Sequence, residues 1–256
     1  MIQYLKAKGA TVLFNSDAIT LTLPRARQLI ESGLDEYRVS MDAATRATYL
    51  KIRGVDRFDR VVGNVQTLVD LQRTLERLAP RVSLWFTAMR ANLEELPAFV
   101  RLASSLGVPE VYVQRLVFYG QGLAVQEQSL HGSLQQREQQ LIEEALRLAR
   151  TAGIALRASG LTAPLESLTG TGAEGRPWAG CQRPWTLSYV TANGNVLPCC
   201  IAPWVAKDYS GAILGNAFDQ RFADVWNGER YQRFRADFES DTAPDPCRGC
   251  GRLWSI

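Results

Sequence analysis

Along the first 160 residues the apolar positions alternate between two periods. Short runs rich in β-branched and aromatic residues lie at 10–15, 36–41, 82–89, 111–117 and 154–158, with the length and composition of strands. Between them, apolar residues recur at helical spacing over 23–32 (after the capping candidate Thr22), 58–79, 93–106 and 134–152. Gly9, Gly33, Gly107 and Gly153 each close a helical run just before a strand, where a residue free to take positive φ ends a helix at little cost. Strict alternation predicts an α/β fold: a parallel sheet covered by helices, with functional loops at the carboxyl ends of its strands. Residues 1–8 read as the last turns of a helix without a capping lead-in, so the chain is expected to begin mid-unit. The strand at 10–15 would then lie at a sheet edge that some other segment covers, or that the short leading helix itself folds over.

The pattern changes after residue 160. Residues 161–180 are rich in Gly, Thr, Ala and Pro and read as a linker or long loop. Beyond it, strand-like residues 185–191 and 195–198 flank Asn193-Gly194, which predicts a hairpin with a tight two-residue turn. Such a hairpin folds Cys181 back toward Cys199 and Cys200. Cys247 and Cys250 follow as a Cys-x-x-Cys pair with Gly249 between them, a spacing that lets two sulfurs face one ion or cluster. The domain division is thus 1–160, the 161–180 connection, and 181–256.

Composition narrows the chemistry. Hydrophobic residues make up 46% and charged residues 21% of the 256, enough for a substantial buried core. The 29 basic and 26 acidic residues are interspersed and the formal charge is only +3, which argues against a nucleic-acid partner. No apolar run nears the roughly 20 residues that cross a bilayer, and residues 1–12 lack the features of a signal peptide, so a membrane partner is not expected and a cytoplasmic address is. In a reducing compartment five cysteines read as metal ligands or reactive thiols rather than disulfides. Four thiolates suit either a zinc ion or an iron–sulfur cluster. A zinc ribbon normally pairs two short knuckles, whereas here one pair of ligands spans a whole hairpin.

The cysteine-bearing tail carries further marks: Cys181, twelve residues, Gly194, four residues and Cys199, then Leu-Gly-Asn at 214–216, Asp-Val-Trp-Asn-Gly at 224–228, Arg235 and Cys247-x-x-Cys250. It resembles the SPASM and twitch auxiliary-cluster domains of radical S-adenosylmethionine (SAM) proteins. Upstream, Leu34-Asp-Glu-Tyr-Arg-Val-Ser-Met-Asp42, Tyr49-Leu-Lys-Ile-Arg-Gly54 and the helix from Phe58 are similar to the core of the same superfamily, so the resemblance spans nearly the whole chain. It implies a partial (βα) barrel followed by a small cysteine-rich α+β hairpin domain. It also implies one auxiliary [4Fe-4S] cluster on Cys181, Cys199, Cys247 and Cys250, with Cys200 as the alternate ligand to Cys199.

By motif, Ser40 and Arg53 match SAM-contacting residues of relatives, with Asp42 a weaker match; a strand-end Ser40 and a surface pair of Arg53 with Asp56 or Asp42 are the plain structural alternatives. Asn15 reads as a turn residue. The family's Cys-x-x-x-Cys-x-x-Cys loop, which binds the catalytic cluster, does not occur in the sequence, nor does its Gly-Gly-Glu type motif. The expectation is an N-terminally incomplete core that alone does not cleave SAM. A separate polypeptide supplying the missing strands is a possible partner, and an oxidoreductase or maturase acting on a peptide or protein is the implied enzyme class. A non-catalytic zinc module on a remnant α/β scaffold is the alternative. Among the rest, His131 reads as a surface-loop residue, Gly120 and Gly122 carry only a weak phosphate-loop signal, and Arg115 reads equally as an anion contact or a paired core charge. The tryptophans at 178, 185, 204, 226 and 254 read as cluster shielding or as plain core.

Overall fold

The computed structural model describes residues 1–160, 162–169, 178 and 180–248. The chain divides into two compact units, Met1–Leu116 with Gly122–Gly170, and Val117–Gln121 with Thr171–Ile256.

The first unit is the expected alternation. Its elements in order are α1 (Ile2–Ala7), β1 (Leu13–Ser16), α2 (Leu23–Glu31), β2 (Glu36–Ser40), α3 (Arg46–Arg53) and α4 (Phe58–Thr74). They continue with β3 (Arg81–Ala88), α5 (Leu96–Leu106), β4 (Glu110–Arg115), α6 (Gln136–Ala152), β5 (Ala155–Ala158) and α7 (Pro164–Thr169). All neighbouring strands pair in parallel in the order β1-β2-β3-β4-β5. Gly9, Gly33, Gly107 and Gly153 all have φ between 67° and 77°, the left-handed conformation that ends a helix. Three details differ from the sequence reading. The segment 58–79 stops being helical at Thr74; α3 was masked by its short, mostly polar run; and α7 lies inside the stretch read as a linker, with Ser167 and Leu168 buried.

Period-two alternation sorts the sheet into two faces. Val39, Val82, Leu84, Phe86, Val111 and Val113 are fully or almost fully buried and pack with Val65, Leu68, Phe99, Val100, Ile142 and Ala145 from the helices. The other face is polar and aromatic. At its amino end Glu36 and Glu110 share Arg81, and Glu36 also takes Arg38. Burial presses the Glu36 carboxyl upward, but hydrogen bonds from both arginines outweigh it and hold the group below its ordinary value. Midway, Trp85 stacks on Tyr112 at 4.1 Å with the Arg38 guanidinium 4.8 Å from the indole centre.

β1 is an edge strand, as its place in the chain predicts. Lys6 of α1 reaches Asp35 at 2.7 Å, and the same carboxylate accepts the Val12 N–H at 2.7 Å, so the leading helix is tied to the amino ends of β1 and β2. Beside β1 lies a cavity of about 450 Å³ lined by Ile2, Phe14, Leu21, Leu29 and Tyr37.

The second unit carries α8 (Arg183–Thr186), β6 (Tyr189–Val190), β7 (Asn195–Leu197), α9 (Ala202–Val205), β8 (Gly215–Asn216), α10 (Phe222–Asn227), α11 (Glu229–Glu239) and α12 (Asp245–Arg248). β6, β7 and β8 form an antiparallel sheet in that order. The hairpin is present, but its loop has three residues rather than two. Thr191 pairs with Asn195, the Gly194 N–H donates to the Thr191 carbonyl at 2.9 Å, and only Gly194 of the loop takes positive φ. This is a turn closed by a left-handed glycine, the commonest three-residue hairpin solution. The strand expected from residue 185 is shorter too, because Pro184 favours the helical turn of α8 and β6 begins only at Tyr189.

Gly194 is required twice over, by φ of +84° and by space: a Cβ there would lie 2.5 Å from Asn216 Oδ1 and 2.8 Å from the Phe218 ring. Gly120 has the same φ but open space around it. Gly194→Ala is therefore expected to lower the urea midpoint of the intact chain by the equivalent of about 2–3 kcal/mol, and Gly120→Ala by about 1. Equal effects would show that the contact with Asn216 and Phe218 contributes nothing.

Candidate functional site

Where β2 ends, Ser40 stands half-buried opposite Trp85. The backbone then turns sharply, and the N–H groups of Met41 and Asp42 both donate to the Trp85 carbonyl, at 3.1 and 3.3 Å. Asp42 takes φ of 61°, uncommon for a residue other than glycine, and is 6% exposed. Its carboxylate accepts the Thr87 N–H at 2.6 Å and pairs with the Arg53 guanidinium at 2.6 Å. Burial pushes the Asp42 carboxyl up, and the charge of Arg53 and the Thr87 bond pull it back. Of the two partners proposed for Arg53 from sequence, the structure selects Asp42; Asp56 instead accepts Arg46 Nε at 2.7 Å.

Two residues that the sequence reading did not single out support this corner. Asn92, 2% exposed, donates to the carbonyls of Asp42 and Thr87 at 2.9 Å each, and its own Oδ1 accepts the Met89 N–H at 2.8 Å. Glu95 accepts the N–H groups of Ala44 and Thr45 and the hydroxyls of Thr45 and Thr48, and so holds the start of α3. An Asn between a strand and an acidic helix start is a turn signal, but its partners fifty residues upstream are invisible in sequence.

At the other end of α3, Gly54 at φ 71° terminates the helix immediately after Arg53. Arg53 Nε and the Tyr49 hydroxyl are both buried without a hydrogen-bond acceptor. Burial also keeps the Tyr49 hydroxyl protonated, its affinity for the proton raised. The corner thus holds a guanidinium anchored on one side by Asp42, with unused donors beside it. That donor set fits a carboxylate, the group that SAM's methionine moiety presents. Asn15, read from sequence as a turn residue, lies instead within β1, exposed and paired with Arg38 of β2.

In the second unit, Cys181 and Cys247 pack against one apolar cluster formed by Val196, Leu214, Val225, Tyr231, Phe234 and Phe238. Cys199 packs against a neighbouring cluster of Leu197, Ala202 and Ala212. The strand has ended at Leu197, and Cys199 turns inward while Cys200 is exposed, with Arg183 Nη1 3.6 Å from its sulfur. Burial pushes the Cys199 thiol up, and the backbone N–H groups of Ile201 and Ala202 oppose it. Those donors would stabilise a thiolate, the form that binds metal.

Asp245, opening α12, accepts the N–H groups of Lys207 and Asp208 at 2.6 and 3.3 Å, which ties the exit of α9 to the helix bearing Cys247. Cys250 and Trp254 lie outside the described residues. Among the described residues, no three His, Cys, Asp or Glu side chains gather to hold a single metal ion.

The motif residue Arg235 is a structural clamp. Its Nε and Nη1 donate to the carbonyls of Pro184 and Trp226 at 2.9 and 3.0 Å, and its guanidinium lies 4.4 Å from the ring centres of both Trp226 and Tyr231. Trp178 and Trp185 both meet Phe238, the first by donating to its carbonyl and the second edge to face. Trp204 stacks on Tyr119 and is 65% exposed.

Residues 181–251 match the SPASM family, an iron–sulfur cluster-binding domain. The PqqA peptide cyclase of Granulibacter bethesdensis is 24% identical over 230 residues, 88% of this chain and 55% of that protein. A probable GTP 3′,8-cyclase of Saccharolobus islandicus is 39% identical over 97 residues, 38% of this chain and 30% of that protein. Among solved structures, Streptococcus suis SuiB bound to SAM shares the fold at a TM-score of 0.68 and 15% identity, covering 92% of this chain and 52% of SuiB. The chain thus matches between 30% and 55% of the length of these relatives. With the parallel sheet, the cysteine-bearing hairpin domain and these matches together, residues 181–251 carry the SPASM domain match and the chain as a whole is similar to radical SAM proteins.

Proposed function

We propose that this chain acts in radical SAM modification of a peptide or protein, with its SPASM domain holding one auxiliary [4Fe-4S] cluster on Cys181, Cys199, Cys247 and Cys250. The observation that carries the reading is the match of an iron–sulfur cluster-binding domain that begins at Cys181 and takes in the terminal Cys-x-x-Cys. The peptide substrate class is supported by relatives: one is named for cyclising the peptide PqqA, and SuiB has been solved with its precursor peptide SuiA. Cys200, exposed and beside Arg183, stays outside the ligand set.

Ser40 and Arg53 contact SAM in this reading, and Asp42 positions Arg53. Arg53 offers its free edge to the cofactor's carboxylate while Asp42, fixed by Thr87 and Asn92, sets the plane of the fork. Bound SAM supplies the radical-generating chemistry; the residues named here bind and orient it. The sequence holds five cysteines, the first at 181, and none forms a Cys-x-x-x-Cys-x-x-Cys loop. The catalytic cluster therefore has to be held by residues outside these 256.

Protein purified without oxygen is expected to contain about four iron and four sulfide per chain. Alanine at Cys181, Cys199, Cys247 or Cys250 should at least halve the iron, and Cys200→Ala should leave it unchanged. About one zinc without iron would replace this reading with that of a structural zinc module.

Arg53→Lys keeps the charge but loses the fork, and should weaken SAM binding about tenfold by calorimetry, equivalent to about 1.4 kcal/mol. Unchanged affinity would return Arg53 to a purely structural pair with Asp42. Incubated with SAM and a strong reductant, the chain alone should release no 5′-deoxyadenosine; its appearance would mean that a catalytic cluster is held here after all.

A further inference from the structure

Arg115, the last residue of β4, is 7% exposed. Alternation along β4 puts it on the same face as Val111 and Val113, at the carboxyl end of the strand where ligands of parallel sheets bind. Its Nε is buried without a hydrogen-bond partner, and among the described residues no carboxylate pairs with it. The backbone beside it is engaged: the Arg115 N–H donates to Ser159 Oγ at 3.2 Å, and the Ser159 carbonyl accepts the Ser167 hydroxyl at 2.7 Å. The guanidinium charge is thus unmatched among the described residues.

Nearby is His131, the only histidine in the chain: the next residue, Gly132, donates its N–H to the Leu168 carbonyl at 2.9 Å, and Ser167, which precedes Leu168, is the residue bonded to Ser159. The sequence reading placed it on a surface loop, but the residue is half-buried and neither ring nitrogen has a hydrogen-bond partner. Burial first, and the nearby Arg115 charge second, hold its pKa below the ordinary histidine value, opposed by the Leu168 backbone carbonyl, which faces the ring outside hydrogen-bonding geometry. An unpaired buried cation is costly, and so are buried donors without acceptors. Both costs disappear if an anion occupies the corner.

We propose that Arg115 and His131 form a binding site for a monoanionic carboxylate. The guanidinium offers a planar fork that matches two carboxylate oxygens, and the imidazole adds one further N–H donor. With His131 neutral, the pair carries one positive charge, which balances a carboxylate but not a phosphate dianion. The site rests on neither the cysteine set nor Ser40 and Arg53, so it stands or falls independently of the proposed function.

Because the chain has one histidine, the imidazole Hε1–Cε1 signal of isotopically labelled, tag-free protein reports this corner without ambiguity. Titration with N-acetylglycine is expected to shift that signal saturably, whereas N-acetylglycinamide, which lacks the carboxylate, and sodium chloride at matched ionic strength should not. Inorganic phosphate should bind at least tenfold more weakly. Arg115→Lys, which keeps the charge and loses the fork, should weaken N-acetylglycine at least tenfold, and Arg115→Gln should abolish the saturable shift. If Arg115→Gln fails to fold, the lysine variant decides. A response equal to that of the amide, an affinity unchanged in Arg115→Lys, or tighter binding of phosphate would each overturn the proposal.

Discussion

The carboxylate of Asp42 is the contact on which the rim of the first unit depends. It joins three elements that are distant in sequence: the end of β2, whose backbone it follows at positive φ, the end of β3 through Thr87, and the end of α3 through Arg53. Burying an ionised carboxylate is unfavourable unless it is paired and hydrogen-bonded, and here both conditions are met by groups held from outside. Asn92 fixes the backbone of Asp42, and Glu95 fixes the opposite end of α3. The strained turn is thus over-determined by its surroundings, the condition under which such backbone strain persists.

The sheet shows why polar chemistry can sit on a hydrophobic scaffold. Parallel strands are normally buried on both faces, yet here only the helix-facing side is predominantly apolar. The opposite side runs from an ion network at the amino end, through the stacked Trp85 and Tyr112, to Ser40 and Gln114 toward the carboxyl ends. The arginines on that face are supported by carboxylates or aromatic rings. Arg115, on the helix-facing side, has neither kind of support, and that contrast marks it out.

The SPASM domain solves a different problem, because a unit of this size buries little apolar surface. Its sheet has only three short strands, and Asn216 ties them by donating to the Asn193 carbonyl and to Asn195 Oδ1. Arg235 binds the turn of α8 to α10 through two backbone carbonyls. Two small apolar clusters set the positions of Cys181, Cys247 and Cys199. Stability and the placement of these cysteines therefore depend on the same contacts.

Sequence by itself determined the α/β alternation, the helix ends at Gly9, Gly33, Gly107 and Gly153, the existence of the hairpin and the spacing of the cysteines. These are local or periodic properties: a 3.6- or 2-residue period, a residue free to take positive φ, a count between ligands. Tertiary structure decided the rest. It selected Asp42 over Asp56 as the partner of Arg53, brought Asn92 and Glu95 to the same corner, turned Cys199 inward and Cys200 outward after the strand had ended, and left Arg115 and His131 buried without partners. Each of these outcomes depends on which distant residue arrives within hydrogen-bonding distance, or on how much water the finished fold excludes. Neither quantity exists until the chain has packed.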